Sequence, residues 1–176
     1  MKGKDCEKMK GKYFKKMKEK FCKKIGNRIK CCPSYFFNQN LSPLPLQPDT
    51  PVDVITVTVT TTLPAERVRI DSMVETQVVT NENGAIYGYN VNYNLFRDNV
   101  FLASVAFIET NQVKQLGELA ATFGSTNITW TDVPSVPGTF TYRIEATRVS
   151  AVEENISVFQ VLDRSIDAIV FPPVNP

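Results

Sequence analysis

Three observations predict an antiparallel β-sandwich or jelly roll of about eight strands, preceded by a basic amphipathic helix. From Val54 to Phe171 apolar and polar residues alternate at period two, the signature of half-buried strands. Turn residues recur there about every ten positions, the spacing of an all-β sandwich. The connections are too short for the crossovers that a parallel sheet needs. The domain organisation that follows is an arm (1–32), an extended strap (33–53), a sandwich (54–172) and a short tail (173–176).

Residues 1–32 hold thirteen basic and three acidic side chains, a net charge of +10, whereas the rest of the chain carries −8. Met9, Tyr13, Phe14, Met17, Phe21, Ile25 and Ile29 recur in steps of three or four among good helix formers, so a helix with one apolar stripe is expected. Each four-residue step advances that stripe by about 40°, which winds it round the helix and disfavours a long coiled coil. Packing against another surface is the expected use. Gly11 and Gly26 weaken the helix, and Pro33 marks its end.

All four cysteines, Cys6, Cys22, Cys31 and Cys32, lie in the same arm. On an unbroken helix Cys6 and Cys22 would stand about 24 Å apart, beyond the roughly 7 Å that a disulfide spans. These thiols are therefore free or join one chain to another. No Cys-x-x-Cys spacing suggests a metal centre.

The strap, 33–53, is rich in proline and contains no glycine, which favours an extended, stiff course. Its apolar side chains, among them Phe36, Phe37, Leu44 and Leu46, point to docking in a groove, either of its own domain or of a neighbour. Val54 to Thr60 then alternates β-branched residues with threonine, and Arg67 to Thr80 alternates again. Asn83-Gly84 supplies a hairpin signal through positive φ angles. Tyr87, Tyr89, Val91, Tyr93 and Leu95 share one face of the next strand, and Val100 to Glu109 forms its partner. Lys114 to Ala121 reads as either a short helix or a wide loop. Strands follow at Asn127–Asp132, around Phe140–Ala146, at Ile156–Leu162 and at Ile166–Phe171.

Histidine is absent, which removes the usual general base, the commonest neutral metal ligand and the Ser-His and Cys-His pairs of nucleophilic catalysis. The carboxylates of Glu153, Glu154, Asp163 and Asp167 read as solvated surface charge, and the spaced ligands of a calcium loop are missing. No catalytic, cofactor-binding or metal-binding residue is expected, and no enzymatic activity. Lysines interrupt every apolar run of the N-terminal segment, so no classical export signal is visible.

The basic arm suits acidic protein partners, including sister subunits, or an anionic membrane that takes the apolar stripe while lysines meet head groups. Lysine in place of arginine argues against specific nucleic-acid readout.

Residues 137–147, PGTFTYRIEAT, resemble the penultimate strand of immunoglobulin-like and fibronectin-like sandwiches, with Tyr142 at the place of a corner tyrosine. The Cys31-Cys32-Pro33 step before a threonine- and valine-rich first strand resembles the endospore appendage subunits of spore-forming Firmicutes. That resemblance implies a jelly-roll protein whose N-terminal connector docks into neighbouring subunits and forms disulfides across a fibre. The chain departs from the pattern in its long lysine-rich arm and in a sandwich without cysteine. The expected function is a self-assembling structural subunit of an extracellular fibre or spore-surface layer, a homo-oligomer or polymer at a cell or spore surface. The alternative is a peripheral adaptor, held on an anionic membrane or coat by its arm, whose sandwich binds a ligand or protein.

Overall fold

A computed structural model describes residues 33–173, so the expected helix, its apolar stripe and the four cysteines lie outside the described residues. Nine strands form: β1 (Ser34–Asn40), β2 (Leu44–Pro45), β3 (Val52–Thr61), β4 (Arg67–Thr80), β5 (Ile86–Arg97), β6 (Val100–Val113), β7 (Ala121–Asp132), β8 (Gly138–Arg148) and β9 (Ile156–Phe171). They make two antiparallel sheets, one ordered β1-β9-β4-β7 with β2 also on β9, the other β3-β8-β5-β6. The sandwich reading holds, with seven strands answering to the eight expected and with β1 and β2 contributed by the strap.

The pairings are nested: β5 with β6, β4 with β7, β3 with β8 and β1 with β9. A long hairpin folded over on itself has this order, and the β4–β9 and β5–β8 pairs complete the two sheets. This is the strand order of a jelly roll. Alternation sets the burial: Val68, Ile70, Val74 and Val78 of β4 meet Tyr89, Val91, Tyr93 and Leu95 of β5 in one core with Tyr142, Ile144, Ile166 and Ala168. Such a shared interior is the main favourable term in folding.

Several local expectations change. The two strands expected at Ile156–Leu162 and Ile166–Phe171 are one strand, β9. Residues 114–120 form a loop, held by Lys114 N–H donating to Ala85 O at 2.8 Å and Gly117 N–H donating to Glu82 O at 3.0 Å. Gly84 does not take a positive φ. It is required instead because a Cβ there would lie 2.1 Å from Cγ of Asn155, whose amide donates to Ile86 O at 2.7 Å.

Candidate assembly surfaces

Residues 33–53 are part of the sandwich. β1 pairs with β9 from Ser34↔Val170 to Asn40↔Arg164, and beyond it the chain is pinned by two arginines. Leu46 is 2% exposed, Phe36 and Leu44 pack half-buried on the core, and Phe37 is 52% exposed. Three of the four strap residues thus dock on their own domain, and Phe37 faces outward, its ring stacked with Tyr35 at 6.4 Å.

Arg164 closes this flank and was legible only as surface charge. Its residue is 5% exposed, and its guanidinium donates to Val54 O at 2.8 Å, Ser42 O at 2.5 Å and Leu162 O at 3.0 Å. Two irregularities release these carbonyls. β3 is bulged between Asp53 and Ile55, which leaves Val54 out of register, and the β4–β9 register shifts between Val74/Arg164 and Thr76/Val161. Burial lowers the Arg164 pKa from its ordinary value, yet a guanidinium remains charged, and dispersing that charge over three carbonyls compensates for lost water. Arg148 makes the second pin, donating to Leu46 O at 2.9 Å and pairing with Glu153. Asp49 accepts from the backbone and side chain of Ser150, and those bonds hold its pKa below the ordinary carboxylate value.

The opposite flank, where β6 and β7 adjoin, has no such cover among the described residues. Phe107 closes the gap between the sheets by lying over Gly124, where a Cβ would fall 2.3 Å from the ring. Val100, Phe101, Ile108 and Val113 of β6, and Phe123 and Trp130 of β7, are exposed, with Val113 at 78%. No residue of β6 is buried.

Charge is distributed against the habit of free edges. Asp53, Glu109 and Asp132 are the only charged residues in the edge strands β1, β2, β3, β6 and β7, and none is basic. Sandwiches blunt exposed edges with lysine, proline or bulges, and of these the chain uses Pro45 and the irregularities of β3 and β6 but no lysine. Here the charges sit in the central strands. On one outer face Arg143 bridges Asp53 and Glu145, each at 2.7 Å, and lies over the Phe96 ring at 4.3 Å; its carboxylate partners raise its pKa. On the other face Asp71 stands opposite Asp167, so burial first and Asp71 second raise the Asp167 pKa while Arg69 pulls it down.

Two buried polar groups tie the layers together. Tyr142 donates to Asp132 at 2.7 Å, and Arg97 donates to the same carboxylate at 2.7 and 3.0 Å. A corner tyrosine donates to backbone, so Tyr142 does not extend the immunoglobulin-like likeness. Burial, and after it Asp132, pushes its phenol far up. Tyr93 pairs with Thr76 at 2.6 Å, and burial moves its pKa up to about 12.

A shallow cavity of about 210 Å³ is lined by Arg67, Arg69, Thr131 and Phe171. Arg69 is paired with Asp71 at 2.8 Å, and Arg67 lies over Phe171 at 5.8 Å. Among the described residues no group of three or more acidic, histidine or cysteine side chains is placed to hold a metal ion. No helix there is long and apolar enough to cross a membrane.

No protein-family model and no curated protein matches the chain. Solved structures of infectious bursal disease virus are similar to it. The structure of the Gx strain aligns at a TM-score of 0.42 and 10% identity over 83% of this chain and 36% of that one. The VP2 subviral particle of the same virus aligns at a TM-score of 0.28 and 6% identity, over 84% and 45% of the two chains. The chain thus spans less than half the length of these structures. At such scores the likeness assigns no function.

Proposed function

We propose that the chain is a self-assembling structural subunit of a fibre or surface layer, whose sandwiches meet at their edges and whose residues 1–32 reach a neighbour. The observation that carries this reading is the set of edge strands without a single lysine or arginine, one flank of which exposes Val100, Phe101, Ile108, Phe123 and Trp130. Exposed apolar edges of this kind mark interaction sites. Charge supports it: an arm of +10 and a body of −8 attract in every pair of subunits. Because residues 33–53 pair within their own sandwich, the reach to a neighbour falls to residues 1–32. The described residues contain no cysteine, so a disulfide between subunits joins arm to arm. A cell or spore surface is the setting in which such an assembly is used.

The test compares the full chain with a chain shortened to 33–176, by light scattering, non-reducing gels and negative-stain images. The full chain is expected to form oligomers or filaments, and the shortened one smaller species. Two monomers at high concentration under oxidising conditions would end the assembly reading. Salt-reversible pelleting with anionic liposomes by the full chain alone would instead support the adaptor, which the +10 arm also fits.

A further inference from the structure

We infer that β6 pairs antiparallel with β6 of a second copy about a two-fold axis at Ala106, extending the β3-β8-β5-β6 sheet across the interface. The inference deepens the assembly reading and rests on it. β6 is an edge strand, and its pairing with β5 is irregular at two points, between Leu95/Ala103 and Phe96/Phe101 and between Tyr87/Gln112 and Tyr89/Glu109. Leu102 is the extra residue at the first, and Thr110 and Asn111 lie at the second, where Asn111 has φ 52°. The regular window between them is 103–109, whose midpoint is Ala106.

A two-fold pairing of two edges must place its axis on a residue, because only alternate residues turn their backbone groups outward. Axis positions other than 106 draw a bulge into the ladder and shorten it. With the axis at Ala106, Ser104 faces the partner's Ile108, Val105 faces the partner's Phe107, and Ala103 faces the partner's Glu109. The exposed Ile108 is then covered, and the half-buried Val105 and Phe107 gain apolar neighbours on the flank.

Charge selects the same partner and register. Glu109 is the only charged residue of β6, and in this register the two copies of it stand about 20 Å apart, beyond a Debye length of about 8 Å. Moving the axis towards Glu109 brings like charges together. β7 fits such pairing less well, since Gly124 interrupts it and Ser125, Asn127 and Thr129 occupy its outer face, with the Thr129 hydroxyl already donating to Asp71 at 2.7 Å.

The test uses the full chain with Cys6, Cys22, Cys31 and Cys32 replaced by serine, so that one introduced thiol reports alone. Ala106→Cys is expected to give a disulfide-linked dimer under mild oxidation, since directly opposed Cβ atoms lie about 5 Å apart. Ser104→Cys and Ile108→Cys, each about 14 Å from its own symmetry mate, are expected to cross-link about tenfold more slowly. Together in one chain they should cross-link readily.

A second set of variants uses association. Ala106→Lys and Ala106→Glu each place like charges on the axis and should lower self-association at least about tenfold by sedimentation in high salt and reductant, whereas an equimolar mixture should associate again. That recovery also shows that both variants fold. Cross-linking at 106 no faster than at 104 or 108, or sedimentation of Ala106→Lys indistinguishable from the parent, overturns the inference while assembly stands. A parent chain that stays monomeric at every concentration overturns both.

Discussion

The two flanks of the sandwich are built from the same kind of element and finished in opposite ways. On one, β1, β2 and β3 are closed over by Leu46 and by Arg164 and Arg148, whose guanidinium groups hold carbonyls of the strap. On the other, Phe107 of β6 lies over Gly124 of β7, and among the described residues nothing covers Val100, Phe101, Ile108, Phe123 and Trp130. The difference teaches that the chain can seal an edge with its own extension and, among the described residues, does so on one flank. In the assembly proposed above, the bare flank is the surface offered to a second copy.

The largest expected effect breaks the sealed flank. Arg164→Ala removes three hydrogen bonds from a charged group and a long buried stem, and should cost roughly 3 kcal/mol or more in urea denaturation. Arg164→Lys should recover little of it, because one ammonium cannot match the planar fork that reaches Val54, Ser42 and Leu162. Next, Gly124→Ala tests the close approach of Phe107 on the bare flank: the ring must move, at a cost of about 1–3 kcal/mol in thermal melts.

Between the flanks, Tyr93→Phe leaves the Thr76 hydroxyl buried without its partner and should cost about 1 kcal/mol. On the bare flank itself, Ile108→Thr should change stability by no more than about 0.5 kcal/mol while lowering self-association, which separates an exposed contact residue from a core one.

The smallest effect is electrostatic. Asp167 has a raised pKa in the folded chain, so the native state holds its proton more tightly than the unfolded state. Its carboxyl is least unfavourable below the ordinary value, and stability falls as pH rises through the raised one. Asp167→Asn should therefore gain over the parent as pH climbs through that window and hold a constant lead above it, measured as the difference in melting temperature.

Strands β3, β4, β5 and β8 were legible because one face of each is buried and the period-two alternation survives, and β6 because exposed and half-buried residues alternate along it; of β7 only Asn127–Asp132 was legible, since Gly124 and small polar residues blur the pattern of its first half. β1 was not, since SYFFNQN carries no alternation and lies between prolines; its pairing is decided by β9, far away in sequence. Arg164 was hidden for a related reason. Flanked by Asp163 and Ser165 it resembles a solvated break between two strands, whereas carbonyls freed by the Val54 bulge and the β9 irregularity let β9 run through it. For the surfaces, the apolar strap residues could be named from sequence, but exposure of Phe101, Ile108 and Val113 could not, because an edge strand and a central strand share one alternation. The charge-poor character of the edges became visible only once strand order was known.

The nested pairing also fixes an order of events during synthesis. β5 and β6 are joined by a tight turn and can pair as soon as both exist, whereas β1 must wait for β9, the last of the nine described strands to be made. At 5–20 residues per second the interval between Asn40 and Arg164 leaving the ribosome is on the order of ten seconds. Through that interval Tyr35, Phe36 and Phe37 have no strand beside them, and Ser42 and Val54 lack the cation that will join them. Among the described strands the nested pairs can thus form from the middle outward, and the β1 edge is the last whose partner is made.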